Sequence, residues 1–175
     1  IGRKVAEACI SLGMKVVGYD PYLTEQVKKM LPNGVETVDN VSDLYPVSDF
    51  ITLHIPYGAN TKGFIGKDAF MRMKNGVKLL NFARGELVDN TALFEAIEEK
   101  KVAKYVTDFV SPEVIDKKEI ITLPHLGAST LEAEDNCAIM ASNQLKDYIE
   151  NGNIKNSVNF PNLSLDRNGK NRITV

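Results

Sequence analysis

The sequence is sparing with the residues that most often announce a site. It has two cysteines and two histidines. Cys9 and Cys137 each sit inside an apolar helical pattern. That argues against a disulfide scaffold and against a zinc site, so no metal is expected and a reducing, cytoplasmic compartment is. Neither charge is in excess: 21 Lys and Arg stand against 23 Asp and Glu, for a net charge of −2. A dedicated nucleic-acid or anionic-membrane binder carries a basic surplus, so neither partner is expected. No apolar run approaches the ~20 residues of a membrane span, and nothing at the start reads as a signal peptide. An initiator Met is also lacking. Ile1-Gly2-Arg3 opens directly into a helical pattern, which leads to the expectation of a fragment of a longer protein.

What is present is an ordinary core. Hydrophobic residues make up 43% of 175 and charged residues 25%, values that rule out intrinsic disorder. Apolar positions Val5, Ala6, Cys9, Ile10 and Leu12 have helical spacing and stop at Gly13. Short apolar runs follow at 14–19, 35–38, 50–55, 77–82, 105–109 and 120–123. Helical patterns lie between them at 24–30, 68–73 and 91–100, with a short one up to Pro46 that Ser42 or Asp43 could cap. The longest helix is expected over 129–150, with Cys137, Ala141, Leu145 and Tyr148 on one stripe. Strands alternating with helices predict an α/β protein with a parallel sheet. The continuous apolar runs suggest that both faces of that sheet are covered.

In a parallel sheet the ligand crevice lies beyond the carboxyl ends of the strands. Asp20, His54, Arg84, Asp108, Glu113 and His125 all fall at or just after such ends. Each also has a plain structural reading: Asp20 before Pro21 as a turn former, Arg84-Gly85 as a solvated loop, His54 as a packed strand end. Taken together they say more. Glu113 and His125 follow successive strands, and neighbouring strands lie about 5 Å apart. A carboxylate beside an imidazole favours the imidazolium and suits it to proton transfer. An arginine on the same rim can hold a carboxylate bidentately. Asp20 lies 18 residues beyond Gly2, close to the distance at which an acidic residue meets the adenosine ribose of a dinucleotide. Its charge would repel a 2′-phosphate, which favours NAD over NADP.

The segments IGRKVAEACISLGMKVVGYDP (1–21), DFITLHIP (49–56), GVKLLNFARGELVD (76–89), VTDFVSPE (106–113) and LPHLGAST (123–130) resemble, in order, those of the D-isomer-specific 2-hydroxyacid dehydrogenases. The resemblance implies a Rossmann-like doubly wound sheet with NAD as cofactor and a small 2-hydroxyacid as substrate. It implies that Arg84 binds the substrate carboxylate, that His125 is the general acid/base, and that Glu113 orients His125. Ile1, Gly2 and Asp20 would meet the pyrophosphate and ribose. Ile55, Phe82, Ala83, Arg84, Asp108, His125, Gly127 and Ala128 would line the rest of the cofactor cleft. The family usually shows Asp-Val-Phe-x-x-Glu-Pro; here the proline precedes the glutamate, as Pro112-Glu113.

The same resemblance divides the chain into an NAD-binding domain over 1–128, a long helix over 129–151 and a linker over 152–171. Residues 172–175 would begin an ACT regulatory domain, because NSVNFP (156–161) and RITV (172–175) resemble the tail of members that carry one. Those members oxidise 3-phosphoglycerate in serine biosynthesis. A homodimer or homotetramer is expected. The family's first strand, central in the order 3-2-1-4-5-6, has no counterpart in this sequence. A gap between strands 14–19 and 50–55 is therefore expected, as is an exposed stripe on the last helix. An NAD-binding regulatory or dimerisation module, or an inactive fragment of such an enzyme, are the competing readings.

Overall fold

The computed structural model describes residues 1–115, 117–166 and 169. They fall into two compact units, Ile1–Pro124 and His125–Val175. The first unit runs α1 (Gly2–Ser11), β1 (Val16–Gly18), α2 (Glu25–Lys28), β2 (Val35–Thr37), α3 (Val41–Leu44) and β3 (Phe50–Leu53), then α4 (Lys67–Arg72), β4 (Val77–Asn81), α5 (Asn90–Glu98), β5 (Val102–Thr107) and β6 (Ile120–Thr122). Short 3₁₀ turns at Tyr45–Val47 and Gly85–Leu87 join α3 to β3 and β4 to α5. Every pairing between the named strands is parallel.

The helices begin where side-chain oxygens can cap free N–H groups. Thr24 accepts from Val27 N, Asp89 from Ala92 N and Asn40 from Ser42 N. The last is a correction: Asn40 caps α3, not Ser42 or Asp43, because its side chain stands one residue ahead of the first turn. Gly13 follows α1 at φ 79°, a left-handed conformation that costs glycine little.

The strands form two sheets, β1-β2 and β3-β4-β5-β6. No ladder joins β1 to β3, the gap expected from the sequence. In the larger sheet Ile51, Leu79, Tyr105 and Ile120 make one row across four strands, and all four are buried. The register shifts by one residue between β4 and β5: Val77 pairs with Val102 but Lys78 with Lys104. That bulge restores the parity of β5, so that Val102, Tyr105 and Thr107 share the buried face with Val77, Leu79 and Asn81. Helices α4 and α5 supply Ala69, Phe70, Ala92, Leu93 and Ala96 to the same core.

The opposite face departs from the expectation. Phe50, Thr52 and Ile121 are exposed, and Lys78, Leu80 and Val106 only half-buried. The continuous apolar runs suggested two covered faces, yet no described residue on this one is fully buried. Uninterrupted runs carry no alternation, so they cannot report which face is covered.

The second unit is built on α6 (Leu131–Asn151), whose N-cap Thr130 accepts from Ala133 N and whose first turn holds Glu132 and Glu134. Gly152, at φ 68°, ends it. Leu145 and Tyr148 of the expected apolar stripe are exposed. The chain then folds back on itself through an antiparallel bridge, Ile154 to Leu163. Asp147 ties this return to the helix: its carboxylate accepts from Lys155 Nζ at 2.7 Å and from the Asn151 and Asn153 amides at 2.9 Å. Residues 172–175, expected to start a further domain, lie outside the described residues.

Two outcomes are expected. Leu79 is fully buried at the centre of the sheet, so Leu79→Ala should cost roughly 2–5 kcal/mol in a denaturant titration, whereas Phe50→Ala on the open face should cost well under half of that. Hydrogen bonds from Lys155, then Asn151 and Asn153, hold the Asp147 pKa down to about 2. A lowered carboxylate stabilises the fold above its unfolded pKa of about 3.9 and loses that contribution as the pH falls toward its folded value. The Asp147 carboxyl carbon should therefore titrate near pH 2 by NMR, and Lys155→Ala should move the midpoint up.

Candidate active site and cofactor cleft

The carboxyl ends of β3, β4 and β5 lie side by side, and the loops that leave them carry most of the functional candidates of the first unit. β4 ends at Asn81, one of two buried polar residues among those described; the other, Thr107, is its register partner on β5. Both have no solvent exposure. Asn81 Nδ2 donates to the Arg84 carbonyl at 2.8 Å and to the Tyr105 hydroxyl at 3.2 Å. Its Oδ1 accepts from Ala83 N at 3.1 Å. The Arg84 guanidinium donates to the Ala83 carbonyl at 2.7 Å and is otherwise turned to solvent. Phe82 stands out of the strand, 41% exposed, with Ala83 half-buried beside it.

The turn after Arg84 is anchored on two sides. Gly63 N donates to the Glu86 carbonyl and Ile65 N to the Leu87 carbonyl, with Leu87 fully buried. Gly85 packs against the loop after β5 so closely that an added Cβ would stand 3.2 Å from Phe109 Cβ. Phe109 N in turn donates to Thr107 Oγ1 at 3.1 Å. The loop bearing Arg84 and the loop bearing Asp108 are thus one packed assembly. Beyond it, buried Val114 pins the turn that presents Glu113. The exposed Glu113 carboxylate accepts from Asn90 Nδ2 at 3.2 Å, at the first residue of α5.

At the end of β3, His54 shares a hydrogen bond of 3.1 Å with Thr52 Oγ1. Desolvation by the packing around it pushes the His54 pKa down. Gly2 lies against this imidazole; an added Cβ would meet it at 3.4 Å. Ile55 is half-buried against the core. Asp20 follows β1 in the smaller sheet, where its Oδ1 accepts from Tyr22 N at 2.9 Å. The turn-forming reading of Asp20 is therefore correct as structure, and its exposed carboxylate has lone pairs for further donors. In the second unit His125, Gly127 and Ala128 are exposed in the turn that precedes α6, where Ser129 N donates to the Leu126 carbonyl.

The structure thus brings Phe82, Ala83, Arg84 and Asp108 together, sets Glu113 beside Asn90, and puts Ile1 and Gly2 next to His54. It holds Asp20 on the other sheet and His125, Gly127 and Ala128 in the other unit. Four residues of these networks went unnoticed in the sequence: Asn81, Asn90, Tyr105 and Thr107. The available clue was an amide within the apolar run VKLLNF; its pairing with Thr107 depends on a bulge that no periodicity reveals. Among the described residues no group of three His, Cys, Asp or Glu could hold a metal, and no helix is long and apolar enough to cross a membrane.

Residues 1–130 match the D-isomer specific 2-hydroxyacid dehydrogenase, NAD binding domain family. The chain belongs to this family. It is 35% identical to the D-3-phosphoglycerate dehydrogenase of Methanocaldococcus jannaschii over 97% of its own length and 33% of the relative's. It is 34% identical to that of Bacillus subtilis, again over 97% of the chain and 33% of the relative. It therefore spans about a third of the length of these curated relatives. Among solved structures, a glyoxylate reductase of Paecilomyes thermophila superposes with a TM-score of 0.77 at 30% identity, covering 91% of this chain and 49% of that one. The D-lactate dehydrogenase of Escherichia coli gives 0.71 at 28%, covering 87% and 48%. The cofactor of the family is NAD, and the residues present fit it. The first turn of α1 carries Arg3 and Lys4 and no acid, which suits a diphosphate. Asp20 offers a carboxylate for a ribose diol, and Phe82 and Ala83 offer an apolar wall at the strand ends.

Proposed function

We propose that this chain is the cofactor-binding part of an NAD-dependent dehydrogenase that oxidises a D-2-hydroxyacid, 3-phosphoglycerate to 3-phosphohydroxypyruvate, as a step of serine biosynthesis. The observation that carries the reading is the packed pair of loops after β4 and β5, joined at Gly85 and Phe109, which carry the exposed Arg84 and the half-buried Asp108 at the carboxyl ends of neighbouring parallel strands. The choice of substrate is supported by relatives named D-3-phosphoglycerate dehydrogenase along nearly the whole chain.

NAD, when bound, supplies the acceptor for the hydrogen and two electrons that leave C2 of the substrate. The chain supplies position and a proton path. Arg84 holds the substrate carboxylate and polarises the oxygen on C2. His125 takes the hydroxyl proton during oxidation and returns it in the reverse direction. Glu113, held by Asn90, is the carboxylate assigned to orient His125. Ile1, Gly2 and Asp20 hold the pyrophosphate and ribose. Ile55, Phe82, Ala83, Asp108, Gly127 and Ala128 line the nicotinamide side. A homodimer or homotetramer in the cytoplasm completes the proposal.

Three experiments test it. In the protein at its natural full length, His125→Ala should lower turnover by roughly 10²–10⁴; unchanged turnover would remove His125 from the mechanism. Arg84→Ala should raise KM for the hydroxyacid and lower kcat while NAD still binds. Loss of NAD binding would make Arg84 a cofactor residue instead. On the 175-residue chain, calorimetric titration with NAD beside a circular-dichroism melt is expected to show binding and a cooperative transition. Absence of both would restrict the activity to a longer polypeptide.

A further inference from the structure

Asn81 is buried without exposure in a strand whose other inward residues, Val77 and Leu79, are aliphatic. An amide in such a place is costly unless its hydrogen bonds are made. Three of its four are: one N–H to the Arg84 carbonyl, the other to the Tyr105 hydroxyl, and its oxygen from Ala83 N. Two of the three go forward along the chain, to consecutive residues that have already left the sheet, and the third crosses to Tyr105 on β5.

Beyond Asn81 the backbone no longer pairs with β5, because the ladder ends at Asn81 and Thr107. The peptide groups of residues 83 and 84 therefore need other partners. The Asn81 carboxamide supplies both, an acceptor for Ala83 N–H and a donor for Arg84 C=O. The Ala83 N–H belongs to the 82–83 peptide and the Arg84 C=O to the 84–85 peptide, so the amide brackets Arg84 and limits the direction in which its side chain departs. Asn81 is itself held from across the sheet. Burial raises the Tyr105 pKa, so the phenol stays neutral and its oxygen accepts from Asn81. Thr107, the register partner of Asn81, binds Phe109 N, and Phe109 closes on Gly85. A leucine at 81 would fill much the same volume but take away the acceptor of Ala83 N–H and leave Arg84 C=O only the longer bond from Leu87 N, 3.3 Å. An aspartate would keep the acceptor and set an oxygen against the Arg84 carbonyl.

We propose that Asn81 is a positioning residue: it acts through the backbone of Ala83 and Arg84 to set the guanidinium that binds the substrate carboxylate, with Tyr105 holding the amide in place. The inference rests on the assignment of Arg84 as the substrate clamp. Asn81 touches no reacting atom. Its influence is on geometry, where an error of about 1 Å can cost roughly a hundredfold in rate.

The test uses the natural full-length protein with 3-phosphoglycerate and NAD, in the variants Asn81→Asp, Arg84→Ala and the two combined. Asn81→Asp should lower kcat/KM roughly 10- to 100-fold, with the dissociation constant for NAD, read by calorimetry, within about threefold of wild type. Added to Arg84→Ala it should cost less than about threefold more, because the clamp it serves is gone. Unchanged kcat/KM in Asn81→Asp, with Arg84→Ala strongly impaired, overturns the inference and leaves the substrate reading standing. Parallel loss of NAD affinity, or full additivity with Arg84→Ala, also overturns it, since either marks a general loosening. No effect of Arg84→Ala itself would defeat the substrate reading and this inference with it. Should Asn81→Asp fail to fold, Tyr105→Phe removes only the hydroxyl; a loss of about 3- to 10-fold that vanishes in the Arg84→Ala background is expected, and an unchanged kcat/KM overturns the role.

Discussion

A strand that leaves a sheet strands its own peptide groups, and those groups must find partners or water. The rim that carries the proposed site depends on how that demand is met after β4. The row that is aliphatic at Leu79 becomes polar at Asn81 and Thr107, at the level where the ladder stops. Side-chain amide and hydroxyl groups take over from the neighbouring strand. The backbone can then turn sharply toward the rim and still be fully anchored. The buried polar layer and the exposed arginine are consequences of one constraint: a cationic side chain can be aimed only as firmly as the backbone beneath it.

Much of this architecture was legible in the sequence, though not the part that sets the geometry. Strand and helix order follow from the apolar runs and from the residues that interrupt them, such as Gly13 and the Asn75-Gly76 turn. Observed strands are shorter than their apolar runs except β5, which starts at Val102, three residues ahead of the run at 105–109. Phe82 extends the run of β4 yet lies outside the strand, because an apolar residue on a rim can face a cleft as readily as a core. The helix caps show the same limit: Asn40, Ser42 and Asp43 are all competent, and only the backbone decides which one stands ahead of the first turn. Coverage of the second sheet face was misjudged because a run without alternation is silent on the point. Asn81 was missed because a single amide in an apolar strand gains meaning only from its cross-strand partner. The one-residue shift between Val77 and Lys78 determines that partner.

Family membership and local structure meet at the loops. Two of the segments that matched the family in the sequence, ARGELVD and VTDFVSPE, have backbones tied down in the structure, through Gly63, Ile65, Phe109 and Val114. Under the proposed function, short, specific strings in these loops answer two demands at once, a chemistry at the tip and a packed base. Gly85 illustrates the second: its lack of a side chain is what admits Phe109.

The distribution of burial has a consequence of another kind. Every fully buried hydrophobic residue among those described lies between Tyr45 and Ile120. The first 44 residues, with α1 and the β1–β2 pair, contribute none. Segments with few buried contacts open at a lower free energy than the core they adjoin. Asp20 and Gly2 stand on that thinly anchored stretch, and Arg84 and Asp108 on the firmly packed one. A dinucleotide bridging both would find one half of its seat rigid and the other pliant. Part of its binding free energy would go into ordering the pliant half, giving an enthalpy-driven association with a negative heat-capacity change larger than the ligand's own contact area implies.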